Sequence, residues 1–454
     1  MTAELAKRIA AGTRADDLVL DASVTRQIKE SVWGARLDRI PVLRHVKKVA
    51  TIKGYVERYG VRSSLRQAYF TARHLANKRS GERQYVFLSH PLDQTGGPLV
   101  LIEMIEEFSQ RVKSAKIRLV AAHIDSQHLA KLRRLGVKLD GMDPRLGIGA
   151  LAPRLSLKPN DFVLMNTSAI AANYRNGIFQ LLSAGRLKHA FWYVHEDDPQ
   201  VQFKSKQLRD KIRRLLNQKK LTMCVPSIKM QEKYEKFFNA PIAIIPLHVD
   251  VDEKLKKPRL EADYEKMRFV ISGIATGGRK GQTTALFGFY KFLTDHYQGN
   301  ETKYRDFKLR MIGLGDDYLS VQLKAIGKEV LGSRFEYSAT IGRQEALESM
   351  SECNAVICCS LMEAFGLYVA EGMYMGHVVL RNDCSGVDEQ LKPGVNGYEL
   401  KDGDLGQFTD VIERVLNKSK TTNRKLQQMG FASQEMIKDY ASNNYYQKLM
   451  DLDK

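Results

Sequence analysis

The sequence predicts an α/β chain of two doubly wound domains facing each other across a cleft, preceded by a helical extension. Three observations lead there. Short apolar runs alternate with helix-like stretches from Gln84 onward and again from Arg268 onward, the pattern of parallel sheets covered by helices on both faces. The 454 residues exceed what one core holds, since domains run to about 100–200 residues. A polar, proline-containing stretch at 246–266 separates the two series, as an interdomain connection would.

The extension covers residues 1–80. Gly34, Gly54 and Gly60 are stop signals and Pro41 is a helix start. After it Leu43, Val46, Tyr55, Val56 and Tyr59 recur at three- to four-residue steps, with Arg44, Lys47, Lys48 and Lys53 between them. This segment holds 17 Lys and Arg against 7 Asp and Glu, so +10 of the chain's net +19 sits in it. A basic amphipathic helix suits two roles, a cap packed on the next domain or a layer on an anionic membrane surface, and both stay open.

The first doubly wound domain spans 81–245, with strands expected at 85–90, 117–121, 161–165, 190–194, 221–225 and 243–245. The second spans 267–430, with strands expected at 268–272, 308–312, 334–337, 355–359 and 378–381, and a helical tail fills 431–454. Tandem sheets of this kind bind ligands at their facing carboxyl edges.

Several classes are set aside by composition. No apolar run nears the 18 or more residues that span a bilayer, and the charge-interrupted N-terminus lacks the core of a signal peptide, so a cytoplasmic chain is expected. The five cysteines, Cys224, Cys353, Cys358, Cys359 and Cys384, form no CxxC pair and read as buried thiols. No His, Cys or Asp spacing suits a metal, and no nucleophile motif occurs. The high positive charge attracts phosphate-bearing partners. Nucleic acid is the least favoured of them, because neither interleaved aromatics nor a known binding module is present.

The stretch Glu363-Ala-Phe-Gly-Leu-Tyr-Val-Ala-Glu371 follows the apolar run AVICCS and opens a helix. Its carboxylates fall at a loop and about two turns into that helix, so they can grip different parts of one elongated ligand. Phe365, Gly366 and Leu367 place backbone N–H groups at the helix start, an anion site suited to a diphosphate. Read alone, the stretch is equally a capped helix with carboxylates facing solvent.

This stretch resembles the Glu-x7-Glu motif of retaining GT-B glycosyltransferases, in particular glycosyltransferase family 4 (glycosyl transferases group 1). Cys384 to Glu389, Pro393 to Gly397 and the strand running into Gly313-Leu-Gly315 are similar to further segments of that family. The resemblance is strong over 265–415, looser over 84–245 and absent from 1–80. It implies that Glu371 holds the donor ribose and Glu363 contacts the transferred sugar, with Phe365, Gly366 and Leu367 supplying backbone contacts to phosphate and sugar. Gly313 and Gly315 would let the nucleotide approach. Lys280 matches the family's diphosphate-binding lysine, whereas Ile274 stands at the place of its arginine, and Arg279 after the flexible Gly277-Gly278 is the substitute. Gly96 and Gly97 fit the family's glycine-rich loop, and His195, at the end of another strand run, its sugar-binding histidine.

Glu196, Asp197 and Asp198 beside it could suggest a metal cluster, but the resemblance implies a metal-independent enzyme in which cations and helix N-termini stabilise the leaving diphosphate. The implied activity is hexosyltransferase-type, with retention of configuration. The donor would be a nucleotide-diphosphate sugar, with no cofactor besides, and the acceptor a cell-surface polysaccharide or lipid-linked glycan at the inner face of the membrane. The alternative is a non-catalytic glycosyltransferase-like subunit binding a partner enzyme or glycan, which Ile274 favours. Residues 201–220, with eight Lys or Arg and one Asp, read either as a solvated helix or as a patch for an anionic lipid.

Overall fold

The computed structural model describes residues 82–90, 92, 96–121, 124–141, 157–170, 172–256, 264–339, 341–441 and 444–453. The extension expected at 1–80 lies outside the described residues.

Two all-parallel sheets form the molecule. The first contains β1 (Tyr85–Leu88), β2 (Ile117–Ala121), β3 (Lys138–Gly141), β4 (Phe162–Asn166), β5 (Ala190–Tyr193), β6 (Leu221–Val225) and β7 (Ala243–Ile244), in the order β3-β2-β1-β4-β5-β6-β7. The second contains β8 (Lys266–Ser272), β9 (Asp306–Ile312), β10 (Phe335–Ser338), β11 (Ala355–Cys358), β12 (Val378–Asn382) and β13 (Gly397–Leu400), in the order β10-β9-β8-β11-β12-β13. These are the two doubly wound domains that the sequence predicts. Helices cover both faces of each sheet, so the central strands read as apolar runs: IRLVA of β2, FVLMN of β4 and VVLRN of β12 are buried throughout.

Strand order reverses between β1 and β4, which pair with Phe87 opposite Leu164, and between β8 and β11, with Val270 opposite Val356. Loops leaving the two strands at a reversal diverge and open a crevice at the carboxyl edge. Gly96 and Gly97 follow β1, Lys280 follows β8 and Glu363 follows β11, all strands at a reversal, whereas His195 follows β5 and Gly313 and Gly315 follow β9.

Two strands escape the sequence reading. β3 and β13 are four-residue edge strands, and β13 buries only its two ends, so neither needs an apolar run. The first part of the connection expected at 246–266 is packed: Leu247, Val249 and Val251 are buried at alternate positions, and Val249 N–H donates to the Tyr440 carbonyl at 3.2 Å. Three alternating residues are too short a pattern to stand out from a polar stretch.

The tail ties the domains together. Helix Lys420–Ala441 buries Leu426, Met429 and Ile437, and the final helix Tyr445–Leu452 packs against the first-domain helix Gly96–Arg111. There the Phe108 and Tyr446 rings meet edge to face with centroids 4.9 Å apart, a geometry worth about 0.5–1.5 kcal/mol beyond its buried area. The Glu107 carboxylate accepts from the N–H groups of Tyr445 and Tyr446 at 2.8 and 3.3 Å, placing negative charge at a helix N-terminus.

Candidate active site

Glycines without room for a side chain build the second-domain half. Gly281 has φ +74°, and a Cβ there would lie 2.0 Å from the Cys359 carbonyl oxygen, so only glycine lets this turn rest on the end of β11. At Gly313, φ +97°, a Cβ would lie 2.8 Å from the Gly273 carbonyl oxygen; the loops after β8 and β9 therefore touch backbone to backbone. Gly315, in the same loop, is half-buried.

This packing brings Lys280 and Glu363 together, although 83 residues separate them. Lys280 Nζ lies 2.5 Å from Glu363 Oε2, with side chains only 14% and 10% exposed, and Nζ stands 5.6 Å over the Tyr368 ring. Burial pushes the Glu363 carboxyl up, but the cations of Lys280 and Arg279 outweigh it and hold the group below its usual range. Arg279 is exposed and donates to the Met362 carbonyl at 2.9 Å, so its guanidinium braces the loop that carries Glu363. Ile274 is 46% exposed, an apolar side chain in the same loop.

Helix Leu367–Tyr374 begins at Gly366, whose φ of +84° favours glycine. The chain turns sharply there, and the first N–H groups of the helix lack intrahelical acceptors. Phe365 is buried and stacks on Tyr440 with centroids 5.6 Å apart. Beneath the turn, the buried Arg381 guanidinium donates to the carbonyls of Gly386 and Ser385, both at 3.1 Å, and to the Gln390 amide, while Gln390 donates to the Gly366 carbonyl at 3.2 Å.

Glu371 lies deeper in the same helix. Burial raises its pKa and Arg343, with NH2 3.0 Å from Oε1, opposes the rise without cancelling it. Arg343 also approaches Glu103 of the first domain at 3.8 Å and donates to the Asp250 carbonyl at 3.1 Å. Burial works against the guanidinium charge, yet Glu371 and Glu103 outweigh it and raise its pKa.

In the first domain, His195 follows β5 and Gly97 lies in the first turn of helix Gly96–Arg111. A Cβ on Gly97 would stand 3.4 Å from His195 Cδ2, so the imidazole lies next to the helix start. His195 Nε2 pairs with Asn166 Oδ1 at 2.8 Å, while Asn166 Nδ2 donates to the Gly97 carbonyl at 3.2 Å and the Ser89 hydroxyl at 3.4 Å. With the amide nitrogen so engaged, its oxygen faces the ring and assigns the proton to Nε2. Burial lowers the His195 pKa to about 4, and the ring is neutral at physiological pH.

The three adjacent acids go different ways. Glu196 accepts from the Thr167 hydroxyl and, at 2.9 Å, from Ser168 N–H, fixing the turn after β4 where Thr167 has φ +66°. Asp197 pairs with Lys233 at 2.8 Å and with the Ser385 hydroxyl of the other domain. Asp198 caps helix Pro199–Gln202 through Gln200 N–H at 2.8 Å. Among the described residues no group of three His, Cys, Asp or Glu could hold a metal ion.

A second set of bonds also joins the domains. Ser227 donates to the Ala364 carbonyl at 2.7 Å, Ile228 N–H to Glu389 Oε1 at 2.7 Å, and Lys233 to the Ser385 hydroxyl at 3.0 Å. Helix Ile228–Phe238 thus docks its N-terminus onto the loop next to Glu363. Sequence reasoning missed Asn166, Arg343 and Glu103. Asn166, a lone polar residue closing the buried run FVLM, carried a signal; Arg343 and Glu103 read as ordinary charges on amphipathic helices.

The glycosyl transferases group 1 model matches residues 289–432 and the glycosyl-transferase family 4 model matches residues 81–252, so between them they take in most of both sheets. No curated protein matches the sequence. Among solved structures, HepE of Anabaena, crystallised with UDP and glucose, superposes with a TM-score of 0.61 at 16% identity over 82% of this chain and 99% of its own. Sucrose-phosphate synthase of Thermosynechococcus elongatus gives 0.57 at 14% identity over 82% and 97%. The lipopolysaccharide outer core galactosyltransferase WaaB gives 0.57 at 14% identity over 81% and 98%. At these identities the superpositions establish the shared GT-B fold.

Proposed function

Since the chain belongs to the group 1, family 4 glycosyltransferases, we propose that it transfers sugar from a nucleoside-diphosphate sugar, retains the anomeric configuration and needs no metal. The observation that carries this reading is the buried Lys280–Glu363 pair beside the start of helix Leu367–Tyr374. A cation and a row of backbone N–H groups converge there on one crevice, and both favour a phosphate-bearing leaving group. Lys280 neutralises charge that grows on the diphosphate as the glycosidic bond breaks, and Glu363, freed from the lysine, accepts from hydroxyls of the transferred sugar.

His195, neutral and held by Asn166, offers the sugar a hydrogen bond from a fixed ring. Glu371 accepts from the ribose. Gly96, Gly97, Gly313 and Gly315 keep space for the diphosphate and nucleoside, and Phe365, Gly366 and Leu367 contribute backbone contacts. A neighbour of the same fold crystallised with UDP and glucose supports a nucleotide sugar as partner.

The acceptor is a cell-surface polysaccharide or lipid-linked glycan, and the chain works in the cytoplasm at the inner membrane face. Support for this is the +19 charge, with +10 in residues 1–80, and among the described residues no helix is long and apolar enough to cross a membrane. A second reading, a non-catalytic subunit, is favoured by the exposed Ile274 and by the engagement of Arg279 with the Met362 carbonyl, which together leave Lys280 as the main cation for the diphosphate.

The test is the anomeric configuration of the first product, followed by proton magnetic resonance in the presence of EDTA. Retention at an unchanged rate is expected. Inversion, or activity lost to EDTA and restored by Mg²⁺, would contradict the reading, and the absence of any transfer or hydrolysis would favour the non-catalytic subunit.

A further inference from the structure

Arg343 occupies a costly position. It opens helix Arg343–Ser351 directly after the N-cap Gly342, at the end where the helix dipole disfavours a cation. It is half-buried, and its charge is shared by two carboxylates, the buried Glu371 at 3.0 Å and the half-buried Glu103 at 3.8 Å. It reaches Glu103 only at 3.8 Å, beyond hydrogen-bond distance. Glu103 Oε2 is buried without a hydrogen-bond partner, and the Glu103 carboxyl is pushed up to about 7 by burial, against the pull of Arg343. A purely structural ion pair gains most when each charge is fully bonded, since a half-satisfied buried network costs more than an apolar contact. The deficit lies where the two domains meet, between Glu103 and Arg343.

The elements that Arg343 joins are those the donor must span. Glu371 belongs to the helix that begins at the Glu363 loop. Glu103 belongs to helix Gly96–Arg111, whose first turn packs Gly97 on His195. The Asp250 carbonyl, held at 3.1 Å, belongs to the connection between the domains. Arg343 therefore links the ribose end of the proposed donor site to the helix that begins at its sugar end.

We propose that Arg343 is a positioning residue for the donor: it holds the Glu371 carboxylate where the vicinal hydroxyls of a ribose donate to it, and through Glu103 it ties that grip to the domain across the cleft. This rests on the assignment of Glu371 to the ribose. A fork-shaped guanidinium fixes a carboxylate in orientation as well as in charge, which a lysine ammonium does not.

The experiment is calorimetric titration of the full-length chain, Arg343→Lys and Arg343→Gln with a nucleoside diphosphate and its 2′-deoxy counterpart, using the tightest-bound of UDP, GDP and ADP. Arg343→Lys keeps the charge and protects against misfolding, and the ribo-to-deoxy affinity ratio is taken within each folded variant. Both substitutions are expected to weaken the ribonucleotide about tenfold or more, the size of a charge-assisted hydrogen bond, and the deoxynucleotide clearly less, so the ratio collapses. Lys280→Ala, acting on the diphosphate, weakens both forms alike. Equal weakening of both forms by the Arg343 variants, or none, overturns the proposal and leaves Arg343 an interdomain strut. If the wild type binds none of the three nucleotides, or if Lys280→Ala and Glu371→Gln leave binding unchanged, the donor-site reading itself fails and the proposal falls with it.

Discussion

Glu103 keeps its proton to about pH 7, chiefly because burial penalises the carboxylate, with Asp250 and Glu371 adding to the effect and Arg343 and Lys131 opposing it. Its ordinary value is 4.5, so between pH 4.5 and 7 the folded chain binds a proton that the unfolded chain has released. The stabilising contribution is complete below about 4.5 and is lost as pH rises through 7. His195 has the opposite sign: burial takes it from 6.5 to about 4, and its contribution is lost as pH falls from 6.5 to 4. Replacing Glu103 by Gln removes the first effect and leaves the second. The stability of Glu103→Gln relative to wild type is therefore expected to rise between pH 5 and pH 8, by up to about 3 kcal/mol, in urea unfolding at the two pH values. A constant difference between the two proteins would mean that Glu103 titrates normally. At this scale the sequence singles out residues that sit in a motif, Lys280, Glu363 and Glu371, and the structure brings the first two together. Arg343 and Glu103 were not legible, because their meaning comes from a contact between segments some 240 residues apart, and neither segment announces it locally.

At the scale of elements, the site depends on turns that only glycine can make. Gly281 stands at φ +74° against the backbone of Cys359, and moving it would displace Lys280, the preceding residue. Gly281→Ala is expected to cost about 3 kcal/mol or more, combining a left-handed backbone with a backbone clash. Gly96→Ala, where a Cβ meets nothing within 4 Å, should stay within about 1 kcal/mol of wild type. Thermal melting of the two variants compares them, and equal losses would show that the packing at β11 is looser than the distances imply. The strands of both sheets were legible because parallel strands covered on both faces are continuous apolar runs. Edge strands β3 and β13 were not, since neither carries a continuous apolar run, and neither was the packing of Leu247, Val249 and Val251, whose alternation is brief. The glycines after β8 were visible as a flexible loop, but which of them is pressed against β11 depends on a strand about 75 residues away.

For the whole molecule, two sheets with their reversals facing a common crevice were readable from the doubled alternation, whereas the return of the tail was not. Helix Tyr445–Leu452 closes onto the first domain through Tyr446, Phe108 and Glu107, and nothing in a polar amphipathic tail says which domain it will cover. Charge is also a property at this scale. The +10 of residues 1–80 predicts binding to anionic vesicles that salt weakens, because such attraction is screened over about 8–10 Å at physiological ionic strength. Sedimentation of the full chain with anionic and neutral vesicles at low salt checks this, and indifference to the anionic vesicles would make the extension structural. The use of a nucleotide sugar held by Lys280 is tested most directly by release of nucleoside diphosphate from a panel of nucleotide sugars, measured for the full-length wild type and for Lys280→Ala at matched folded concentration. Turnover of at least one donor by the wild type, falling about a hundredfold in the variant, is the expected result; no turnover of any donor, or an undiminished rate in Lys280→Ala, would contradict it.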